Sequence, residues 1–155
     1  MTDHHISVLK FELDYYIKRF RDLTIERAHR MKTNYEKVRE FTEAMGQTLD
    51  EWPPTHKTKS LRSNLIYEES DEIDAELYFT KKINKAAVAK ELADLLYVTY
   101  GAAAAFGIDI DKVFAEVHKS NMSKLDSEGK PVYRKDGKVT KGPNYKPPDL
   151  TNIVT

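Results

Sequence analysis

A set of carboxylates interrupts the apolar stripes of two consecutive predicted helices, and this feature constrains the fold more than any other. An α-helix advances about 100° per residue, so residues three and four apart share a face. The acids on these faces are Glu68, Glu69, Glu72 and Glu76 in a helix predicted for residues 60–79, and Glu91 and Asp94 in a helix predicted for residues 85–106. Both helices otherwise present leucine, isoleucine and valine on the same side, which predicts that the acids face a neighbouring helix.

Charged groups on a core-facing stripe are costly to bury unless they are paired or bound to a metal ion. No lysine or arginine lies on these two apolar faces, and Arg62 is the nearest candidate. The pairs Glu69/Glu72 and Glu91/Asp94 are each three residues apart, so each pair projects from one side of its helix. Oxygen-only ligands favour Mg²⁺ or Mn²⁺, so the pattern indicates a divalent metal site. The alternative is a wet groove whose acids are neutralised by lysines from elsewhere.

The remaining periodicity predicts an all-α protein. The predicted helices cover residues 7–30, 34–45, 60–79 and 85–106, and a last one runs from Asp109 or Asp111 to about residue 123. Helical signals then stop. Residues 130–139 are typical of a short hairpin with Asp136 and Gly137 at its turn, and the prolines that follow predict an irregular tail.

Composition and motifs exclude several classes of protein. The chain has no cysteine, which excludes disulfides and thiolate metal sites. No stretch approaches the roughly 18 apolar residues of a membrane span, and no phosphate-binding P-loop is present. The formal net charge of +0 argues against a nucleic-acid partner. A cytoplasmic location is the default expectation.

The acids carry a resemblance to a known family. Glu68-Glu69-Ser-Asp-Glu72, followed after eighteen residues by Glu91-Leu-Ala-Asp94, resembles the EExxE…ExxD signature of the MazG-like all-α NTP pyrophosphohydrolases. The stretch ELADLLYVTYGAAAAFGIDIDKVFAEVHKSNMSK is similar to the subgroup that acts on deoxynucleotides, which includes dimeric dUTP-hydrolysing members. The tail GKPVYRKDGKVTKGPNYKPPDL is similar to that of many phage and bacterial relatives. The resemblance implies a four-helix bundle, here with an extra N-terminal helix and an irregular tail.

The resemblance also implies an activity and its residues. Glu69, Glu72, Glu91 and Asp94 would ligate Mg²⁺ or Mn²⁺, and Glu68 would orient or deprotonate the attacking water. Metal-activated attack on the α-phosphorus would convert a nucleoside triphosphate into the monophosphate and pyrophosphate. A deoxynucleotide preference is expected, with dUTP and dGTP among the candidates.

Contacts to the substrate are predicted outside the acid motif. The candidates are Trp52, Arg62, Asn121, Lys124, Lys141 and Tyr145. The resemblance implies that Asn121 and Lys124 contact phosphate. Trp52 precedes the acid-bearing helix and is placed to stack on a base, although packing at a loop is the alternative. Lys141 and Tyr145 belong to a basic tail that either closes over the site as a lid or buttresses a neighbouring subunit.

The predicted organisation is an N-terminal helical extension in residues 1–33, a catalytic domain in 34–125 and a basic tail in 126–155. The resemblance implies a homodimer or a dimer of dimers. One alternative function is a non-catalytic helical bundle that binds nucleotides or nucleic acid. Another is a di-metal carboxylate oxidase, but such bundles need Glu-x-x-His on two helices, and neither acid-bearing helix has that motif.

Overall fold

The chain divides into two compact units, Met1–Lys32 and Thr33–Thr155. The computed structural model describes residues 9–10, 12–22 and 32–154. In the first unit, helix α1 covers residues 12–22, and its apolar side chains, such as Phe20, are exposed. Residues 9–10 are also helical, and the remaining residues of the helix predicted for 7–30, including Leu23 of its apolar stripe, lie outside the described residues. The predicted boundaries at 33 and 125 stay predictions.

Four α-helices build the second unit. They are α2 Asn34–Ala44, α3 His56–Asp74, α4 Lys85–Ala105 and α5 Ile110–Met122, with a π-helical turn Ala75–Phe79 directly after α3. The described ranges contain no β-strand, which confirms the all-α prediction, while the four-helix bundle arrangement stays a prediction. No helix in the described part of the chain has the length and apolar character needed to cross a membrane.

Side-chain caps decide where these helices begin. Thr33 and Glu36 form a capping box at the start of α2. Thr55 accepts a hydrogen bond from Thr58 N, so α3 begins at His56 rather than at residue 60. The apolar pattern predicted a later start because it marks only the residues that pack against a neighbour, and the first turn of α3 is polar. Asp109, one of the two predicted candidates, caps α5.

Helix α4 is the centre of the second unit, because it packs against both α2 and α3. Its last turns, Gly101 and Ala102–Ala105, are buried, as is Val38 of α2. The loop after α2 returns to the end of α4, where Asp50 N donates to Ala104 O at 3.1 Å and Glu51 N donates to Ala105 O at 2.8 Å. These bonds satisfy carbonyls that a helix end otherwise leaves free, so the loop is fixed to the core.

The C-terminal tail lies along α5. Ser120 Oγ donates to Lys146 O at 2.8 Å, and Lys146 N donates to Ser123 Oγ at 2.8 Å. The predicted hairpin is reduced to one antiparallel bridge between Tyr133 and Val139, and Gly137 of the predicted turn has a φ of 80°. A single bridge forms no strand, so this segment is irregular.

Candidate metal and catalytic site

Facing residues define the register of α3 against α4. The facing pairs are Arg62 with Gly101, Glu69 with Asp94, and Glu72 with Glu91. Residue numbers rise along α3 as they fall along α4, so the two helices are antiparallel. Glu69 lies seven residues after Arg62, which is two helical turns or about 10 Å along the axis. The helix pair therefore carries acids at one level and a cation at another.

Three carboxylates converge at the acidic level. Single oxygen atoms of Glu69, Glu72 and Glu91 all lie within 4.8 Å of one another. Glu72 shares a hydrogen bond with Glu91, and this bond together with the charge of Glu91 raises the pKa of Glu72. Partial burial and then the charge of Asp94 raise the pKa of Glu69. Like charges this close oppose one another's ionisation, and a cation among them would relieve the repulsion.

The acids are less buried than their helical positions predict. Glu91 is 8% exposed and counts as buried, whereas Glu69 and Asp94 are half-buried and Glu72 and Glu68 are exposed. Apart from Glu91, the acids of the cluster therefore border solvent in the single chain.

A lysine that the helical pattern excluded neutralises part of the cluster. Lys90 Nζ lies 3.1 and 3.0 Å from the two oxygens of Glu91 and 2.9 Å from Asp94 Oδ2. These carboxylates, Asp94 first, hold the pKa of Lys90 above its ordinary value. The helical pattern thus overlooked Lys90, and the alternative in which lysines neutralise the acids is met in part. A helical projection places only the first atoms of a side chain, while the long lysine stem carries its ammonium group around the helix.

Arg62 differs from the other predicted contacts because it is buried. Its side chain is only 5% exposed. Arg62 Nη2 donates to Gln47 Oε1 at 3.2 Å, and Arg62 Nε is buried without a hydrogen-bond partner. Desolvation lowers the pKa of this guanidinium. A methyl group on Gly101 would stand 3.2 Å from Arg62 Nη1, so the glycine leaves the space that the guanidinium occupies.

The other predicted substrate contacts lie on separate elements. Lys124 Nζ donates to Asn121 Oδ1 at 2.7 Å, so these two residues are together at the end of α5. Lys141 places its ammonium 4.3 Å from the centre of the Tyr145 ring within the tail. Trp52 is 73% exposed in the loop before α3. Among the described residues no hydrogen bond or ion pair joins these five side chains to the acids, so their roles stay predictions.

Two residues of these helix faces, Lys90 and Gly101, were not predicted from the sequence. Lys90 stands four residues before Asp94, and an i, i+4 pair of opposite charges on a helix is a recognisable signal. Gly101 is a glycine in the middle of a helix, where glycine destabilises by about 1 kcal/mol relative to alanine. Such a residue often marks a close approach, and here the neighbour is Arg62.

Comparison with known proteins identifies the family. The sequence model of the family described as phosphoribosyl-ATP pyrophosphohydrolase matches residues 38–121, which is more than half of the chain. An uncharacterized protein, L479, of Acanthamoeba polyphaga mimivirus is 32% identical over 119 residues, a match that covers 70% of this chain and 42% of the viral protein. The chain thus spans less than half the length of that relative. The matched family is related to the MazG-like all-α pyrophosphohydrolases predicted from the motif. The chain belongs to the phosphoribosyl-ATP pyrophosphohydrolase family.

Proposed function

We propose that the chain is a divalent-metal-dependent pyrophosphohydrolase that converts a nucleoside triphosphate, preferentially a deoxynucleotide, into the monophosphate and pyrophosphate. The observation that carries the proposal is the convergence of Glu69, Glu72 and Glu91 oxygens within 4.8 Å, with Asp94 beside Glu69. Family membership supports the general activity, since the family is described as a pyrophosphohydrolase. The finer deoxynucleotide preference rests on the motif and on the segment that follows it.

The residues present fit a hard divalent cation. Every group in the cluster offers oxygen, the ligand that Mg²⁺ and Mn²⁺ prefer. Burial and then the charge of Asp94 raise the pKa of Glu69, and Glu91 raises the pKa of Glu72, which is in keeping with crowded carboxylates. Glu69, Glu72, Glu91 and Asp94 would hold the ions. When bound, such ions would neutralise phosphate oxygens and make water a stronger nucleophile.

The side chains around the cluster can be given roles in the reaction. Glu68 is exposed and adjacent in sequence to Glu69, so its carboxylate would orient the attacking water and accept its proton. The water oxygen bonds to the α-phosphorus while the bond from that phosphorus to the bridging oxygen breaks, and pyrophosphate leaves. Asn121 and Lys124 would bind phosphate as an amide and a point charge, and Trp52 would stack on the base.

The family description favours a second substrate, phosphoribosyl-ATP, whose cleavage also releases pyrophosphate. Arg62 is the weakest of the proposed substrate contacts, because its side chain is enclosed by protein. Lys141 and Tyr145 lie together in the tail and would contact the nucleotide if the tail closes over the site.

A homodimer or a dimer of dimers is part of the proposal. Helix α4 exposes large apolar side chains: Leu92 is 49% exposed, Leu96 58% and Tyr97 41%. Leu92 and Leu96 are four residues apart and therefore share one face, which a second copy would cover. Light scattering at micromolar concentration should give at least twice the chain mass. A monomer alone would contradict this part of the proposal.

The activity is tested with purified protein and a panel of substrates. Ribo- and deoxynucleoside triphosphates and phosphoribosyl-ATP are each assayed with Mg²⁺, Mn²⁺ or EDTA, and pyrophosphate release is measured. We expect turnover with at least one deoxynucleotide, its loss in EDTA, and its loss in Asp94→Asn. The matched control is Asp71→Asn, an exposed acid on α3 outside the cluster. Equal rates in EDTA and Mg²⁺, or in Asp94→Asn and the wild type, would refute the metal assignment.

A further inference from the structure

Lys90 holds more of the acid cluster than any other cation in the described part of the chain. Its ammonium group contacts both oxygens of Glu91 and one oxygen of Asp94, at 2.9–3.1 Å. Glu91 is the most buried acid of the cluster, so the lysine neutralises the carboxylate that water can least solvate. The contact therefore has the position and the sign of charge that a metal ion would have.

The contacts between Lys90 and Glu91 would be displaced when an ion binds Glu91. Both oxygens of Glu91 are engaged by Lys90 Nζ, so an ion that uses Glu91 competes directly with the ammonium group. The Lys90 side chain is 64% exposed. A flexible four-carbon stem allows the ammonium to leave the acids without a change in the helix.

We propose that Lys90 is an exchangeable cation, which neutralises Glu91 and Asp94 in the metal-free protein and moves to the leaving pyrophosphate when a divalent ion takes its place. This inference rests on the proposed function and adds a residue to it. The chemistry is complementary, because an ammonium group offers three donors and a full charge, both of which phosphate oxygens accept.

The exchange can be measured by chemical labelling of lysines in the full chain. Acetic anhydride reacts only with the uncharged amine, so a trace amount acetylates a lysine more slowly while an ion pair holds it as an ammonium, and mass spectrometry reports that rate for every lysine. The protein is labelled in EDTA, in Mg²⁺, and in Mg²⁺ with inorganic pyrophosphate. Lys85 begins the same helix, is exposed and has no acid partner among the described residues, so it is the internal control.

The three conditions have distinct expected results. Mg²⁺ should raise the labelling of Lys90 relative to Lys85 about threefold, a ratio consistent with loss of an exposed ion pair, and pyrophosphate should lower it again. If Mg²⁺ leaves the ratio unchanged, the exchange is refuted. If Mg²⁺ raises the ratio but pyrophosphate does not lower it, the phosphate role is refuted. Neither readout requires turnover, so a failure of the proposed activity would be seen separately in the pyrophosphate-release assay.

Three variants provide an independent measurement. Mn²⁺ binding without nucleotide is followed by electron paramagnetic resonance in Lys90→Met, Lys90→Arg and Lys85→Met. Removal of the competing ammonium should tighten Mn²⁺ binding about threefold in Lys90→Met, while Lys90→Arg and Lys85→Met should bind as the wild type does. Unchanged or weaker binding in Lys90→Met would overturn the proposal.

Discussion

The two charged levels of the α3–α4 pair show two ways in which a helical protein accommodates charge. At the acidic level, several carboxylates lie at a partly exposed edge and repel one another. Two turns away, the single guanidinium of Arg62 is enclosed by protein, with the amide of Gln47 as its partner. Desolvation and repulsion between carboxylates both raise pKa values at the first level, whereas desolvation lowers the pKa of Arg62 at the second.

The difference indicates which level serves the fold and which serves the chemistry. Arg62 fits within the fold because residue 101 is a glycine, whose lack of a side chain leaves space for the guanidinium. The acidic level is relieved only in part by Lys90, so its excess charge is available to an added cation. Changes at the acidic level should therefore affect turnover more than stability, and changes around Arg62 should do the reverse. This is the usual opposition between activity and stability at functional sites.

The largest expected effect comes from Glu72→Gln. The substitution removes one negative charge from the convergent trio, so pyrophosphate release should fall at least about 100-fold, the upper range for lost support of a metal site. The thermal midpoint in EDTA should stay the same or rise, because a repulsive contact with Glu91 is gone. The two quantities are measured on one preparation by the release assay and by circular dichroism. A Glu72→Gln protein that kept its activity but was destabilised would contradict the assignment of turnover to the acidic level and of stability to the level of Arg62.

The next effect is expected at the other level, from Gly101→Val. Because even a methyl group would stand 3.2 Å from Arg62 Nη1, the larger side chain should destabilise the protein by about 1–3 kcal/mol, as overpacking does. Urea unfolding measures this change. In an Arg62→Ala background the same substitution should cost less, since the space is then free. Equal losses of unfolding free energy in both backgrounds would show that Gly101 does not serve to leave space for Arg62.

The sequence was sufficient to predict the presence of the helices of the second unit and the approach of Glu69, Glu72 and Glu91, because both follow from helical spacing, but it placed the start of α3 four residues too late. It was insufficient for the partners of those acids. The position of Lys90 Nζ depends on rotamers of a long stem, and the burial of Glu91 compared with Glu72 depends on where two helices touch. The hydrogen bonds from Asp50 and Glu51 to the end of α4 are made by a loop, and a loop has no periodic pattern from which they could be predicted. Spacing alone also leaves the relation between the acids and Asn121 undetermined.

The smallest expected effect is a pH dependence that separates repulsion from metal binding at the acidic level. The pKa of Glu72 is raised above its ordinary value of 4.5 in the folded chain, through Glu91. A group of this kind adds stability below its unfolded pKa and loses that contribution as the pH rises through its folded pKa. In EDTA, the thermal midpoint of the wild type should therefore fall relative to that of Glu72→Gln as the pH rises from 4.5 to neutrality.

Divalent ions should reverse that trend, because ions bind the deprotonated carboxylates and bind the folded chain more tightly as the pH rises. The experiment is a set of thermal melts of the two proteins across this pH range, with EDTA or Mn²⁺, and Asp71→Asn as the control for removal of an acid outside the cluster. If the wild type shows the same slope against Glu72→Gln with and without Mn²⁺, the convergent carboxylates act only as solvated surface groups. If the slopes are opposite, the repulsion between Glu72 and Glu91 is the term that an ion removes.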